Sequence, residues 1–248
     1  MGDIRNFVFS SVGNNTNFDS LWTGRNMNYD IYVIYYGDNE EIYQKYKSAV
    51  KYIEKRKGSK FQNFKYFYDN YINIIQKYDR FFILDDDIIF KVKDINKMFD
   101  ISKNYNLDIC GPSFKKGVIS HCRTKHKPNI LLTYTNFVEV NVPLFNKKSI
   151  HNLMKKIDYT LIGWGIDFLF IYVNGMDKRD KYAIIHCVTC INPTKLSKNS
   201  NKKRELTLIK NWEKRKKIWE EFAKKHNIPV RWPITDFKNI PLPKLLFL

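Results

Sequence analysis

Long apolar runs alternate with amphipathic stretches along most of the chain. The runs at 6–12 and 30–36 are rich in β-branched and aromatic residues, and each ends in a polar loop with Gly and Asn, so we expect two buried strands. Elsewhere, apolar residues recur at helical spacing, which predicts helices at 40–57, 64–78, 94–104 and 147–156. Strands that alternate with helices are typical of an α/β fold.

Three acids interrupt the apolar run at 81–90. Asp85, Asp86 and Asp87 have apolar residues on both sides, which is typical of a strand buried on both faces. Adjacent acids are costly there unless a cation compensates them. Because side chains alternate along a strand, we expect Asp85 and Asp87 on one side. Two carboxylates suit Mg²⁺ or Mn²⁺, which also bind phosphate. The alternatives are an exposed acidic turn or a cap on a following helix.

The loops after the first two strands are candidates for nucleotide contacts. In doubly wound sheets, ligands bind outside the carboxyl ends of the strands. The residues at these positions, together with the middle acid of the acidic run, are Val12, Gly13, Asn14, Asp38 and Asp86. Simple turn chemistry accounts equally well for the loop residues. Lys65, on the predicted helix before the acidic strand, could reach a phosphate or be a solvated side chain.

The second half of the chain continues the alternation and contains two further acids in apolar surroundings. We expect a short strand at 107–110 that ends at Gly-Pro, strand-rich sequence at 130–145, a closing strand at 182–191 and an amphipathic helix at 204–226. Glu139 lies within the apolar sequence at 130–145, either on an edge or at a site. Asp167 follows a Gly-Trp-Gly turn and opens an apolar helix, as a helix cap or as a general base with a raised pKa.

The composition indicates a globular protein with a strong positive charge. The chain has 248 residues, 44% of them hydrophobic, and a formal net charge of +18, which attracts polyanions such as nucleic acid, anionic membrane or phosphorylated substrates. Much of the excess lies at 195–225 and 45–65, and such runs are often solvated faces. The basic residues are not interleaved with aromatics in a recognition motif, so no nucleic-acid partner is expected. A nucleic-acid-binding protein or metal-dependent nuclease is the alternative.

Cysteine usage and hydropathy indicate the cellular compartment in which we expect the protein. Cys187 and Cys190 have redox or zinc spacing, but the second pair that a zinc site needs is missing, so we expect the four Cys to be free thiols, mostly buried. No signal-peptide core and no membrane-spanning run is present in the sequence, so we expect a cytoplasmic protein. The tail at 241–248 is expected to pack on the core or to touch a membrane or partner.

Three motifs together resemble one family. Phe82–Ile88, Thr135–Val140 with Pro143–Phe145, and Trp164–Asp167 follow the order and spacing of the plant and algal domain-of-unknown-function 707 proteins, which look like GT-A glycosyltransferases. The chain is also similar, more loosely, to GT-A domains with which large DNA viruses of algae glycosylate capsids. The resemblance implies a single GT-A domain at 1–194, with a mixed, mostly parallel sheet flanked by helices. The basic helix and tail at 195–248 pack on it or extend from it.

The resemblance also implies roles for the matching residues. Asp85 and Asp87 take the place of metal and diphosphate ligands, and Asp167 that of the base of an inverting enzyme. Glu139, Trp164 and Gly165 fall at substrate positions. Where the family tends to have a His as third metal ligand, this chain has Asn192, and His186 lies earlier on the strand as either ligand or core residue.

The implied function is metal-dependent glycosyl transfer. The donor would be a nucleoside-diphosphate sugar, with uridine as the nucleoside, and the cofactor Mn²⁺ or Mg²⁺. The acceptor would be a hydroxyl of a glycan or glycoprotein, and the transfer would invert the anomeric centre. The departure at Asn192 leaves a second alternative open, an inactive GT-A module that binds carbohydrate.

Overall fold

One sheet organises the part of the chain that the computed structural model describes, residues 5–193 and 209–243. Its strands are β1 (Asn6–Val12), β2 (Asp30–Tyr35), β3 (Tyr52–Lys55), β4 (Arg80–Asp85), β5 (Ile109–Gly117), β6 (Ile130–Thr135), β7 (Leu144–Asn146), β8 (Tyr182–Asn192) and β9 (Asp236–Pro241). The helices are α1 (Glu40–Lys47), α2 (Lys60–Asn70), α3 (Ile72–Ile75), α4 (Val92–Asn104), α5 (Lys147–Lys156), α6 (Ile166–Asn174) and α7 (Trp212–Lys225). Single helical turns lie at Phe18–Trp22 and Cys122–Thr124.

The strand order is β3-β2-β1-β4-β7-β5-β8-β6-β9. The first four strands are parallel to one another. β7 runs antiparallel between β4 and β5, β8 runs parallel to β5, and β6 is antiparallel to both β8 and β9. The sheet is therefore parallel on one side and mixed on the other.

Alternate side chains of the central strands face two separate hydrophobic layers. Phe7, Phe81 and Ile83 join the layer that contains α2, α5, α6 and α7. Val8 and Phe82 join the layer that contains α4 and the turn at Phe18–Trp22. Both faces of the parallel strands are covered, which explains why their sequences are apolar almost without interruption.

The predicted α/β fold with a mixed, mostly parallel sheet is present, but several predicted elements are wrong in extent. The helix predicted at 40–57 ends at Lys47, because 52–55 pairs as an edge strand with β2. β5 continues through Gly111 and Pro112, which were expected to stop it, and its register with β8 shifts at that point. A bulge is one of the few ways in which a sheet accommodates proline.

Other boundaries also differ from the pattern. The helix expected at 64–78 begins at Lys60 and breaks at Tyr71. The strand-rich sequence at 130–145 is β6 and β7 with a loop between them. β8 does not close the sheet, because β9 pairs with β6. Of the helix predicted at 204–226, residues 204–208 lie outside the described residues, and α7 starts at Trp212.

The C-terminal elements share the core of the sheet. Trp219, Phe222, Ala223 and Ile228 belong to the same hydrophobic layer as α5 and α6. The basic residues of α7 lie mainly on its outer face, as expected for an amphipathic helix. In neither described range does any helix combine the length and hydropathy needed to span a bilayer.

Candidate active site

The three acids lie in a turn at the carboxyl end of β4. The strand ends at Asp85, and the N–H of Ile88 donates to the Asp85 carbonyl at 3.3 Å, so Asp86 and Asp87 occupy the middle of the turn. Strand alternation does not extend to Asp87, because this residue is no longer in a strand. Asp85–Asp87 form an acidic turn in which each side chain has different surroundings.

Asp86 connects three strands of the parallel side. Its Oδ2 accepts from the Gly13 N–H at 2.9 Å and from the Tyr36 hydroxyl at 2.8 Å. Burial raises the pKa of Asp86 to about 7, although both hydrogen bonds act in the opposite direction. A Cβ on Gly13 would lie 2.6 Å from the Tyr36 ring, so this contact requires glycine. Asp86 thus connects the ends of β1 and β2 to the acidic turn.

The other predicted nucleotide residues lie in the same group of strand ends. The Tyr36 N–H donates to the Val12 carbonyl at 2.9 Å, and the Asn14 side-chain amide donates to Asp38 Oδ1 at 2.5 Å. The Tyr35 hydroxyl donates to Asn14 Oδ1. The structure brings Val12, Gly13, Asn14, Asp38 and Asp86 together at one edge of the sheet.

Two residues that the sequence analysis missed hold the backbone of the acidic turn. The Thr16 hydroxyl donates to the Asp86 carbonyl at 2.7 Å, and the Asn17 N–H donates to it at 2.9 Å. The Asn17 side chain donates to the Asp87 carbonyl at 2.6 Å. In the Gly-Asn-Asn-Thr-Asn loop after β1, the sequence analysis singled out Gly13 and Asn14 but neither Thr16 nor Asn17. A loop of side-chain donors directly after a strand is the signal that could have identified them.

Lys60 supplies the cation that the buried acids need. Its Nζ lies 2.6 Å from Asp85 Oδ1 and donates to the carbonyls of Val140 at 2.8 Å and Asn141 at 2.9 Å. Burial lowers the pKa of Lys60, and the charge of Asp85 opposes that shift most strongly. The lysine at the acidic turn is thus Lys60, at the first position of α2. Lys65, one turn further along α2, is instead paired with Asp69 at 2.6 Å.

Asn192 reaches the acidic turn through the end of β8. Ile191 and Ile89 exchange backbone hydrogen bonds at 3.0 and 3.2 Å, so the end of β8 adjoins the chain two residues after Asp87. Asn192 is buried, and its carbonyl accepts from the Val118 N–H at 2.8 Å. The residue before Asn192 thus pairs with the chain that follows the acidic turn, which keeps Asn192 as a candidate third ligand.

His186 is a core residue. It has no exposed surface, its Nδ1 accepts from the Lys127 N–H at 3.2 Å, and its Nε2 bonds the Thr133 hydroxyl at 3.0 Å. Burial lowers its pKa to about 4, which keeps the ring neutral. Both nitrogens are engaged by the protein, which leaves Asn192 as the better placed of the two suggested ligands.

The donor set at the acidic turn suits a hard divalent ion. Across residues 5–193 and 209–243, no three acidic, His or Cys side chains converge as a complete metal centre. Mg²⁺ and Mn²⁺ do not require one, because they commonly take one or two carboxylates and fill the remaining positions with phosphate and water. Asp85 is 37% exposed and Asp87 is partly exposed, so carboxylate oxygens border solvent at this edge.

Asp167 lies on the mixed side, at the start of α6. Gly165 is the cap residue, with φ of 81°, and Asp167 is the second residue of the helix rather than its cap. Its Oδ1 accepts from the Phe168 N–H at 3.0 Å. Burial raises the pKa of Asp167 to about 6. A carboxylate with that pKa is ionised at neutral pH and still able to accept a proton.

Glu139 lies in a loop that contacts both the acidic turn and α6, since the Asp85 N–H donates to the Asn141 carbonyl at 2.9 Å and the Phe137 and Phe168 ring centres lie 6.3 Å apart. It is only 6% exposed, in the loop between β6 and β7, and its Oε2 has no hydrogen-bond partner among the described residues. Burial raises its pKa to about 8, and the charges of Asp167 and Asp85 add to the shift, whereas Ser120 and Lys60 oppose it. The charges of Asp167, Asp85 and Lys60 thus all act on Glu139.

The C-terminal helix supports the turn that carries Asp167. Trp219, fully buried, packs against Gly165 so closely that a Cβ there would lie 2.2 Å from the indole. The Trp219 Nε1 donates to the Val230 carbonyl at 3.1 Å, and the Arg231 guanidinium lies 5.5 Å from the Trp164 ring centre. Gly165 and Trp164, predicted as substrate residues, are thus packed against the C-terminal segment, which the sequence analysis had placed outside the site.

A mixed, largely parallel sheet flanked by helices, with an acidic turn at the end of an internal strand, defines the GT-A fold of glycosyltransferases. The fold class predicted from the sequence is confirmed.

Among solved structures, this fold is similar to that of S. aureus TarS, a GT-A transferase. The crystal structure of TarS 1–349 matches with a TM-score of 0.56 and 9% identity over 89% of this chain and 65% of that one. TarS 1–349 in complex with UDP-GlcNAc matches with a TM-score of 0.52 and 8% identity over 89% and 66%. A further TarS structure matches with a TM-score of 0.51 and 10% identity over 89% and 43%.

This chain therefore spans slightly less than two thirds of the TarS fragments. No protein-family model and no curated protein matches it. The GT-A part of the expected resemblance is supported by the fold, while the resemblance to the domain-of-unknown-function 707 and viral proteins has no matching family model.

Proposed function

We propose that this protein is a glycosyltransferase that moves a sugar from a nucleoside-diphosphate donor to an acceptor hydroxyl. The observation that carries the proposal is the arrangement around Glu139. The loop that carries Glu139 accepts a hydrogen bond from the Asp85 N–H at the Asn141 carbonyl, at 2.9 Å, and its Phe137 ring lies 6.3 Å from that of Phe168, the residue after Asp167. Both acids therefore border the same loop. An acidic edge for a diphosphate on one side and a basic carboxylate on the other is what transfer between two substrates needs.

The donor is proposed to bind across the ends of β1, β2 and β4. Gly13, Asn14 and Asp38 lie where ligands bind in open α/β sheets. We propose a UDP-sugar, since TarS, which shares the fold, has been crystallised with UDP-GlcNAc. Asp87 and Asn192, with Asp85, are the proposed holders of Mn²⁺ or Mg²⁺. When bound, the ion would neutralise charge on the leaving diphosphate.

Asp167 is proposed as the general base. Its carboxylate takes the proton of the acceptor hydroxyl, the hydroxyl oxygen forms a bond to the anomeric carbon, and the bond from that carbon to the diphosphate oxygen breaks. The electron pair leaves with the diphosphate. A single base on the face opposite the leaving group favours inversion. The pKa of about 6 suits this role near neutral pH.

A thermal-shift screen of nucleotide sugars with and without Mn²⁺ tests the proposal. A ligand that binds only the native state raises the melting temperature by mass action. We expect UDP-sugars to raise it, and Mn²⁺ to increase the effect. Absence of any shift across UDP, GDP and CDP sugars would count against a donor site. Tight DNA binding that weakens steeply with salt would instead favour the nucleic-acid alternative.

A further inference from the structure

Glu139 has an oxygen that the protein itself leaves unused. The side chain is more than nine-tenths buried, and Oε2 has no hydrogen-bond partner among the described residues. Buried polar atoms are nearly always paired, so an exception calls for a partner that arrives from outside. Ser120 lowers the pKa of this carboxyl, but Oε2 itself remains unpaired.

The surroundings of Glu139 favour an uncharged carboxyl. The charges of Asp167, at the start of α6, and of Asp85, at the end of β4, both disfavour a negative charge on Glu139 and raise its pKa. Lys60 of α2 acts in the opposite direction, but its Nζ is already bound to Asp85 and to the carbonyls of Val140 and Asn141. Cys190 of β8 also senses the charge of Glu139, and burial raises its own pKa, so the thiol is neutral. Burial and the charges of Asp167 and Asp85 therefore raise the pKa of Glu139 more than Lys60 lowers it.

The location indicates which part of a substrate Glu139 would contact. In the proposed function, the diphosphate lies at the acidic turn and the attacked carbon lies within reach of Asp167. The transferred sugar must lie between these two points. The loop of Glu139 borders both, because its Asn141 carbonyl accepts from the Asp85 N–H at 2.9 Å and its Phe137 ring lies 6.3 Å from that of Phe168, next to Asp167. Its loop is held there, because Lys60 binds the two carbonyls that directly follow Glu139 in sequence.

We propose that Glu139 binds the transferred sugar as a neutral carboxylic acid, donating a hydrogen bond from Oε2 to a sugar oxygen while Asp167 remains the charged base. This inference rests on the proposed function. Glu139 would then be a neutral hydrogen-bond donor and Asp167 an ionised base. Two carboxyls can differ in this way when their environments shift their pKa values apart. The protein then selects donors whose sugar offers an acceptor oxygen at that point.

The pH dependence of turnover distinguishes this role from a structural one. The wild-type profile is expected to rise with a midpoint of about 6, as Asp167 ionises, and to fall with a midpoint of about 8, as Glu139 does. Glu139→Gln keeps a donor group of the same shape and cannot ionise. We expect it to retain turnover at pH 7 within about threefold and to lose the fall at alkaline pH.

Glu139→Leu is the matched variant without a donor. With UDP-GlcNAc as the probe and hydrolysis as the assay, we expect kcat/KM to drop by about tenfold, the size of one lost hydrogen bond. The melting temperature should stay equal or rise, because a buried carboxyl is removed. A purely structural Glu139 would lower the melting temperature in both variants and leave the alkaline limb in place in Glu139→Gln, and that result would overturn the proposal.

Infrared difference spectroscopy on the free protein tests whether Glu139 is protonated in the absence of substrate. A protonated-carboxyl band at pH 7 that is present in the wild type and lost in Glu139→Gln supports the proposal, and identical spectra refute it. Failure of the proposed function has a different signature. In that case, neither UDP nor UDP-GlcNAc shifts the melting temperature of the wild type, whatever the infrared result.

Discussion

The two sides of the sheet build the candidate site in different ways. On the parallel side, formed by β3, β2, β1 and β4, the site residues directly follow the strands, and Gly13, Tyr36 and Asp86 meet in hydrogen bonds of 2.9 and 2.8 Å. On the mixed side, formed by β7, β5, β8, β6 and β9, Glu139 lies in a loop and Asp167 at a helix start. On the parallel side, the strand order alone brings the site residues together, whereas the mixed side depends on contacts from distant parts of the chain.

Those distant contacts make the mixed side sensitive to changes far from the chemistry. Trp219 fills the space beside Gly165, and Lys60 binds the backbone that follows Glu139. The parallel side is held mainly by hydrogen bonds among its strand ends and the loop after β1, together with the ion pair of Lys60 with Asp85. We therefore expect substitutions of Asp85 and Asp87 to affect donor binding, and those of Asp167 and the turn before it to affect turnover.

The largest expected effect is that of Asp167→Asn. The amide cannot accept the acceptor proton, so turnover should fall by about 10²- to 10⁴-fold, the usual contribution of a general base. Donor affinity measured by calorimetry should be unchanged. In the wild type, the acid limb of turnover should have its midpoint near the Asp167 pKa of about 6.

Asp177→Asn is the control for this substitution, since Asp177 is an exposed acid just beyond the same helix. It should leave turnover and its pH dependence as they are. Equal losses in both variants, or a loss of donor affinity in Asp167→Asn, would remove the contrast between the two sides.

Asp87→Asn tests the parallel side. Mn²⁺-dependent donor affinity should fall by at least about 100-fold, because even partners outside a coordination sphere are worth about 10- to 100-fold. Calorimetry with and without Mn²⁺ measures it. Asp100→Asn, at an exposed acid of α4, is the control and should change nothing. Donor affinity that is the same for Asp87→Asn and the wild type would refute the metal assignment.

Trp219→Ala tests the support of the mixed side from the C-terminal helix. Truncating a fully buried Trp should cost about 3–5 kcal/mol of the free energy of unfolding. Below the melting transition, turnover should fall while donor binding is kept, because the turn before Asp167 loses its packing partner. Trp212→Ala, on the same helix but 55% exposed, should change stability by less than about 0.5 kcal/mol. Equal effects of the two variants in denaturant titration would contradict this account.

Lys60→Met should have a smaller effect. It leaves Asp85 without its cation and removes one donor from each of the Val140 and Asn141 carbonyls, of which the Asn141 carbonyl keeps the Asp85 N–H at 2.9 Å. This should lower the free energy of unfolding by about 1–3 kcal/mol. Lys65→Met removes an i,i+4 pair on the same helix and should cost less than about 1 kcal/mol. If Lys65→Met were the more damaging of the two in urea denaturation, Lys60 would not be the lysine that the site needs.

The parallel side was largely predictable from the sequence. Apolar runs at 6–12, 30–36 and 81–90 marked β1, β2 and β4, and ligand binding at their carboxyl ends pointed to Gly13, Asn14 and Asp38. The predictions failed where tertiary pairing overrode local preference. The edge strand β3 lies in sequence with helical periodicity, and β9 follows the segment that was expected to close the sheet.

The mixed side was predictable only as a set of single residues. Glu139 and Asp167 stood out as acids in apolar sequence, but nothing in their spacing showed that they share one environment, or that Lys60 rather than Lys65 reaches the acidic turn. The order of apolar and polar residues predicted which segments are buried, because the spacing that puts apolar side chains on one face is set by residues only a few positions apart along the chain. Which acid meets which cation depended on how the loops pack, and that is settled by contacts between residues far apart in sequence, such as Trp219 with Gly165.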